Sequence, residues 1–225
     1  MQKPVDYKAN GSIYFLMTTA CLLLLLSFGY RSSFGLFIKP LTEANGWGRE
    51  AISMALAIQN LFWGIVAVFA GGLADRYGNV RVLVGGTLLY AGGIALMAGV
   101  ESIWVLHSSA GLLVGAGIAG TSFGIVLPAM ARAVGESRRQ LALGLGTAAG
   151  SLGQFAVVPI AQQLINSFGW IAALNILAAS ALSMALLAIP LAPYSGKAET
   201  ETVAREQTVS EALQRPWGTA PFCCW

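Results

Sequence analysis

The sequence predicts an all-α integral membrane protein. Of its 225 residues, 56% are hydrophobic and only 10% are charged, and its mean hydropathy is +0.68. A soluble domain usually carries about a quarter charged residues, and a water-soluble fold of this size could not bury so much apolar surface. The net charge is only +3 and the bases are dispersed, which argues against a nucleic-acid partner. The expected partner is therefore the lipid bilayer.

Six apolar runs predict six transmembrane helices, because one helix needs roughly 20 apolar residues to cross a bilayer. The runs are continuously apolar, unlike the alternating strands of a membrane barrel. We expect a short cytoplasmic segment over 1–12, a helical bundle over 13–190, and a cytoplasmic linker over 191–225 whose atypical end suggests truncation. The six predicted spans are 13–38, 51–74, 80–100, 102–127, 141–165 and 170–190.

The basic residues predict the orientation of the bundle. Ten of the 13 Lys and Arg residues fall on one side of the predicted spans, two fall on the other side, and Arg31 lies inside the first span. Cytoplasmic loops carry an excess of bases, so both termini are expected in the cytoplasm, in the inner or plasma membrane. No zinc-type spacing accompanies the three cysteines, and we expect neither a metal nor a cofactor.

Arg31 is the sharpest candidate for substrate binding. It lies seven residues before Ile38, about 10 Å below the outer boundary at 1.5 Å per residue. A charge at this depth is costly and usually faces a cavity or a partner, and its planar fork can hold a carboxylate. Alternatively the long side chain snorkels to the outer interface. The sequence leaves both interpretations open.

Other polar residues lie near the middle of the spans. Gln59, Asn60 and Gln154 either line a wet cavity for the substrate or form hydrogen bonds between helices. His107, the only histidine, lies near the start of the fourth span and is expected to be a satisfied polar residue near the interface.

Two patterns in the fourth span imitate catalytic motifs. Residues 115–120 fit the dinucleotide fingerprint and residues 120–124 fit the nucleophile elbow, but both patterns require a preceding strand that this apolar run does not predict. Glycines spaced by four or five residues instead let helix backbones approach closely. We therefore expect close helix packing at Gly111, Gly115, Gly120 and Gly124.

The turn between the second and third spans carries the most specific motif. It contains a glycine, an acid four residues later, a base, a second glycine and a further base: Gly71, Asp75, Arg76, Gly78 and Arg81. This resembles the loop signature of the major facilitator superfamily, although Asn79 stands where that family usually has a base. The resemblance implies that the acid faces a helix N-terminus of the other half, an electrostatic contact that helps to hold one gate state.

Further resemblances favour one branch of that family. Proton-coupled drug exporters have an arginine four residues before a Gly-x-Gly in helix 4, where this chain has Gly111, and a Gly-Pro pair in helix 5, where it has a lone Pro159. Both departures count against a drug/proton antiporter. The first helix and its exit, residues 29–47, look instead like the monocarboxylate porters and oxalate/formate antiporters.

The resemblance implies two three-helix inverted repeats, which is half of a twelve-helix transporter. A partner is then expected, either a C-terminal six-helix half or a second copy, with a small organic anion as substrate. Two alternatives remain: a six-span intramembrane serine protease, for which His107, Ser122 and Ser151 stand in the wrong order and setting, and a membrane scaffold without transport.

Overall fold

The computed structural model describes residues 7–194, and within them it contains helices and no strand. The first segment of the chain contains α1 (Tyr7–Ser33), a 3-10 turn (Phe34–Phe37) and α2 (Ile38–Asn45). Two long helices follow, α3 (Arg49–Tyr77) and α4 (Asn79–Met97). The predicted tail from residue 195 onward lies outside the described residues.

The second half of the described chain begins with a helical stretch that is not one regular α-helix. It comprises α5 (Ile103–Leu106), a π-helical segment (His107–Leu113), α6 (Val114–Gly120) and α7 (Phe123–Val134). A 3-10 turn (Glu136–Arg138) leads to α8 (Arg139–Ala181), followed by α9 (Ser183–Ala188) and a last 3-10 turn (Ile189–Tyr194).

Five helical stretches in the described part of the chain are long and apolar enough to cross a membrane. The last of them, Arg139–Ala192, has 54 residues. An unbroken helix of that length would measure about 80 Å, far more than the ~30 Å of a bilayer core. Gly169 divides it, because its backbone has the non-helical angles φ 80° and ψ 164°. A positive φ of this kind costs glycine little, since glycine has no Cβ.

Helical structure extends beyond several predicted span ends. The first helix has already begun at Tyr7 rather than at 13, and the predicted link after Ile38 is helical up to Asn45. Pro40 fits in the first turn of α2 because the amide that it lacks would have no helical partner there. A helix remains favourable beyond the apolar core because it satisfies its own backbone groups.

The fourth predicted span is not one regular helix. Besides the π-helical segment, it breaks between α6 and α7, where Thr121 has φ −118° and Ser122 has ψ 175°. Thr121 Oγ1 donates to the carbonyl of Gly117 at 3.0 Å, and Ser122 Oγ donates to that of Ala119 at 3.0 Å. These hydroxyls satisfy carbonyl groups at the end of α6, which is why the break can be buried.

Glycines position the helices against one another. The prediction of close packing is confirmed at Gly111, Gly115 and Gly120, where an added Cβ would lie 2.7–2.8 Å from an atom of α3 or α4. The prediction is wrong for Gly124, where the nearest atom to such a Cβ is Ser122 Oγ at 3.9 Å. The break at Thr121 and Ser122 rotates α7 relative to α6, so the regular spacing no longer holds beyond it.

The two halves of the bundle meet along α1 and α8, which form the most extensive contact between elements. A buried network joins them to the rest: Ser27 Oγ lies 2.9 Å from Thr121 Oγ1, and the hydroxyl of Tyr90 donates to the Ser27 carbonyl at 2.9 Å. One helical turn further along α1, the hydroxyl of Tyr30 donates to Ser180 Oγ at 3.0 Å. Helices from both halves therefore share one interior.

Candidate functional site

Arg31 is bound at the end of α1 by two residues of α3. Its Nη2 donates to Asn60 Oδ1 at 2.7 Å, and its guanidinium carbon lies 4.8 Å from the centre of the Trp63 ring. Nε is buried and has no hydrogen-bond partner in the part of the chain that the structure describes. In the described residues, no carboxylate lies within ion-pair distance of Arg31. The guanidinium is thus oriented, yet no acid among residues 7–194 balances its positive charge.

Neighbouring residues on α3 have different environments. Asn60 is exposed and its amide nitrogen donates to the Leu56 carbonyl at 2.8 Å, which directs its oxygen to Arg31. Gln59 is only 3% exposed and its amide donates to the Ala110 carbonyl at 3.0 Å. Gln59 therefore does not join Arg31 and Asn60, because successive helical residues point about 100° apart.

An aromatic cluster, Trp63, Phe28 and Phe123, continues from Arg31 into the bundle. The Trp63 and Phe28 rings meet edge to face with centroids 6.2 Å apart, and Phe28 stacks on Phe123 at 4.2 Å. Gly150 of α8 leaves room for this stack, since an added Cβ would lie 2.7 Å from Phe123 Cζ. Sequence reasoning missed Trp63, although its position three residues after Asn60 places it on the same side of α3.

Gln154 is exposed on α8, four residues after Gly150 and therefore on the same side of that helix. His107 has its own partner elsewhere: its Nε2 lies 3.0 Å from the carbonyl oxygen of Ala51, consistent with the expected structural role. Neither Gln154 nor His107 contacts Arg31 in any hydrogen bond of the described residues.

The turn motif forms the opposite end of α3. Gly78 ends the helix with φ 92° and donates its amide to the Ala74 carbonyl at 2.9 Å, after which α4 begins at once. Such a φ is favourable only for glycine, which explains its place in the motif. Gly71 lies two helical turns earlier on α3, half-buried, with nothing within 4 Å of an added Cβ.

The motif's charged side chains share one surface. Asp75, Arg76 and Arg81 are all exposed and line a depression of about 550 Å³, and Ala192 is also part of its lining. The Arg76 guanidinium lies over the Tyr77 ring at 5.4 Å. A carboxylate beside two bases on an open surface can form a contact with another part of a larger assembly.

Long apolar helices that pack around a buried hydrogen-bond network define a multi-pass membrane protein. The chain belongs to the Major Facilitator Superfamily, whose family model matches residues 20–225. This confirms the resemblance found in the turn motif and makes the chain a member of a transporter family, not an enzyme.

Two similar proteins agree with this family assignment. Rat (Rattus norvegicus) monocarboxylate transporter 13 is 30% identical over 170 residues, which is 76% of this chain and 39% of that protein. Multidrug resistance protein MdtH of Yersinia enterocolitica is 32% identical over 110 residues, 49% of this chain and 26% of that protein. The chain therefore spans well under half the length of these relatives, whose names describe two different substrate classes.

Proposed function

We propose that this chain is the N-terminal half of a secondary transporter that moves a small organic anion, such as a monocarboxylate, by alternating access. The observation that carries the proposal is the Arg31 guanidinium, which Asn60 and Trp63 orient and which no described acid neutralises. An uncompensated charge within a span is costly, and a bound carboxylate removes that cost. The name and identity of rat monocarboxylate transporter 13 support the same substrate class.

In this proposal Arg31 binds the carboxylate, and Asn60 and Gln154 line the path beside it. Gln59 is left out because its amide is already bound to the Ala110 carbonyl. The remaining half of the site comes from a second six-helix unit, either a C-terminal half or another copy. Six crossings arranged as two inverted repeats follow if the helical arms on both sides of Gly169 each cross the membrane.

The experiment that tests this function measures uptake into vesicles. We expect the full chain, paired with a second six-helix unit encoded beside it or with its own copy, to accumulate a labelled monocarboxylate. A labelled lipophilic cation should not accumulate. Uptake of the cation alone would favour the multidrug class, and uptake of neither compound by an assembled pair would favour a scaffold.

Asp75→Asn provides the matched variant for that assay. We propose that the carboxylate forms a gate contact with a helix N-terminus of the partner unit, an attraction that the neutral amide weakens. The initial uptake rate per inserted protein should fall while insertion stays normal, because Asp75 is exposed and not part of the buried core. An unchanged uptake rate would reduce Asp75 to an ordinary turn residue.

We also propose that the chain lies in the inner or plasma membrane and that both of its termini are in the cytoplasm. The support is the distribution of bases, ten on one side against two on the other. Alkaline phosphatase, which needs an external location, should be active when fused at Gly46 and inactive when fused after Lys197. Activity at the second position would contradict the topology.

A further inference from the structure

A second candidate binding site lies on the outside of the bundle, away from Arg31. Residues of three helices, α3, α4 and α6, line an open cavity of about 350 Å³, which we call the α3–α4 groove. Its walls include Phe69 and Leu73 of α3 and Leu89 of α4, whose side chains are 41–65% exposed. So much accessible apolar surface in one concave place indicates a ligand with a hydrocarbon part.

The groove exists because its floor lacks side chains. Gly85 of α4 has nothing within 4 Å of an added Cβ, and Gly120 of α6 approaches the backbone of Gly86 closely, with an added Cβ 2.8 Å from its Cα. The open space therefore lies above Gly85, between the side chains of α3 and those of α4.

The groove has one charged end. Arg81 and Tyr77 line it there, and Arg81 is exposed. Arg76 lies over Tyr77 at 5.4 Å, and Asp75 lines the adjacent depression together with Arg81. Two guanidinium groups outweigh one carboxylate, so this end attracts an anion, and arginine can bind a phosphate through two parallel hydrogen bonds. A tyrosine at this level is typical of the membrane–water interface.

The length of the groove matches one leaflet. From Arg81 to Leu89 the helix rises about 12 Å, and half of a bilayer core is about 15 Å. The groove is also separate from the proposed substrate path. Asn60 and Phe69 lie nine residues apart on α3, which places their side chains about 180° from each other around the helix.

We propose that the α3–α4 groove binds one anionic phospholipid, with an acyl chain along Gly85 and the phosphate at Arg81. The apolar walls of the groove would bind the acyl chain of any lipid. The positive charge of Arg81 favours a lipid with a negative headgroup. Each basic residue near a membrane surface increases the affinity for an anionic lipid roughly fivefold.

The test uses the full chain, purified, stripped of lipid and titrated with single lipids under native mass spectrometry. Phosphatidylglycerol should bind about fivefold more tightly than phosphatidylcholine of the same acyl chains. Arg81→Gln should abolish that preference. Arg138→Gln, which removes an exposed base from the turn before α8, should leave it intact. Equal binding of the two lipids, or equal effects of the two variants, would overturn the headgroup site.

A second pair of variants tests the groove itself. Gly85→Leu should fill it and weaken both lipids, whereas Gly92→Leu places the same side chain in open space outside the groove. Unchanged lipid binding in Gly85→Leu would overturn the proposal. So would a change in oligomeric state without a change in lipid binding, because it would show that a protein helix occupies the groove. Neither outcome depends on whether the chain transports an anion.

Discussion

Replacing Arg31 with glutamine should weaken the apparent affinity for a small carboxylate by about 10- to 150-fold. A hydrogen bond to a charged group contributes about 1.5–3 kcal/mol, and each 1.4 kcal/mol changes affinity tenfold. The measurement is competition for uptake by the assembled transporter. For the chain alone, the readout is the tryptophan fluorescence change that a carboxylate causes and that Trp63→Phe removes.

Arg31→Lys distinguishes binding from snorkelling. If Arg31 holds a carboxylate through its fork, lysine keeps the charge but loses the second hydrogen bond and the contact of the guanidinium with the Trp63 ring, so it should restore only part of the affinity. If Arg31 merely reaches the outer interface, lysine should serve equally well, and glutamine should alter insertion while affinity stays the same. Equal affinity of wild type and Arg31→Gln at matched expression would eliminate the binding role.

Replacing Gly153 with alanine should destabilise the bundle. An added Cβ would overlap the carbonyl oxygen of Leu25 and lie 2.7 Å from its carbonyl carbon and its Cα. These are backbone atoms of α1 that no rotamer change can move, so α1 and α8 must separate. Overpacking of this kind costs about 1–3 kcal/mol, which is roughly a 5- to 150-fold increase in the unfolding constant.

Gly144→Ala is the matched control for that measurement. Gly144 lies on the same helix, is exposed, and has nothing within 4 Å of an added Cβ. Because alanine favours helix over glycine by up to about 1 kcal/mol, this variant should be neutral or more stable. Unfolding in detergent measures both variants. If Gly153→Ala unfolds no more readily than Gly144→Ala, then the contact between α1 and α8 does not depend on the missing side chain.

The sequence was sufficient where composition and local spacing decide the outcome. Long apolar runs have few ways to satisfy their backbone in lipid, so helices followed directly from them. The turn after α3 could also be predicted, because Gly78 must adopt a positive φ and the charged residues stand at fixed sequence distances from it. These local constraints were specific enough to identify the family.

Tertiary structure decided everything that depends on which side of a helix faces a neighbour. Gln59 and Asn60 are adjacent and equally polar, yet Gln59 is buried with its amide bonded to Ala110, and Asn60 is exposed beside Arg31. Nothing in the order of residues distinguishes them. The distinction comes from the rotation of α3 about its own axis.

That rotation is fixed by distant contacts. Because Gly111 and Gly115 have no side chains, α3 packs closely against them, and this places Gln59 between α3 and the helix that contains these glycines. Asn60 points about 100° away from Gln59 and therefore lies beside Arg31. The break at Thr121 and Ser122 likewise has a buried partner in α1, Ser27, which is far away in the sequence, so a continuous apolar run could not reveal it. The sequence by itself determined the helices and their family, whereas close packing between the helices determined which side chains form the site.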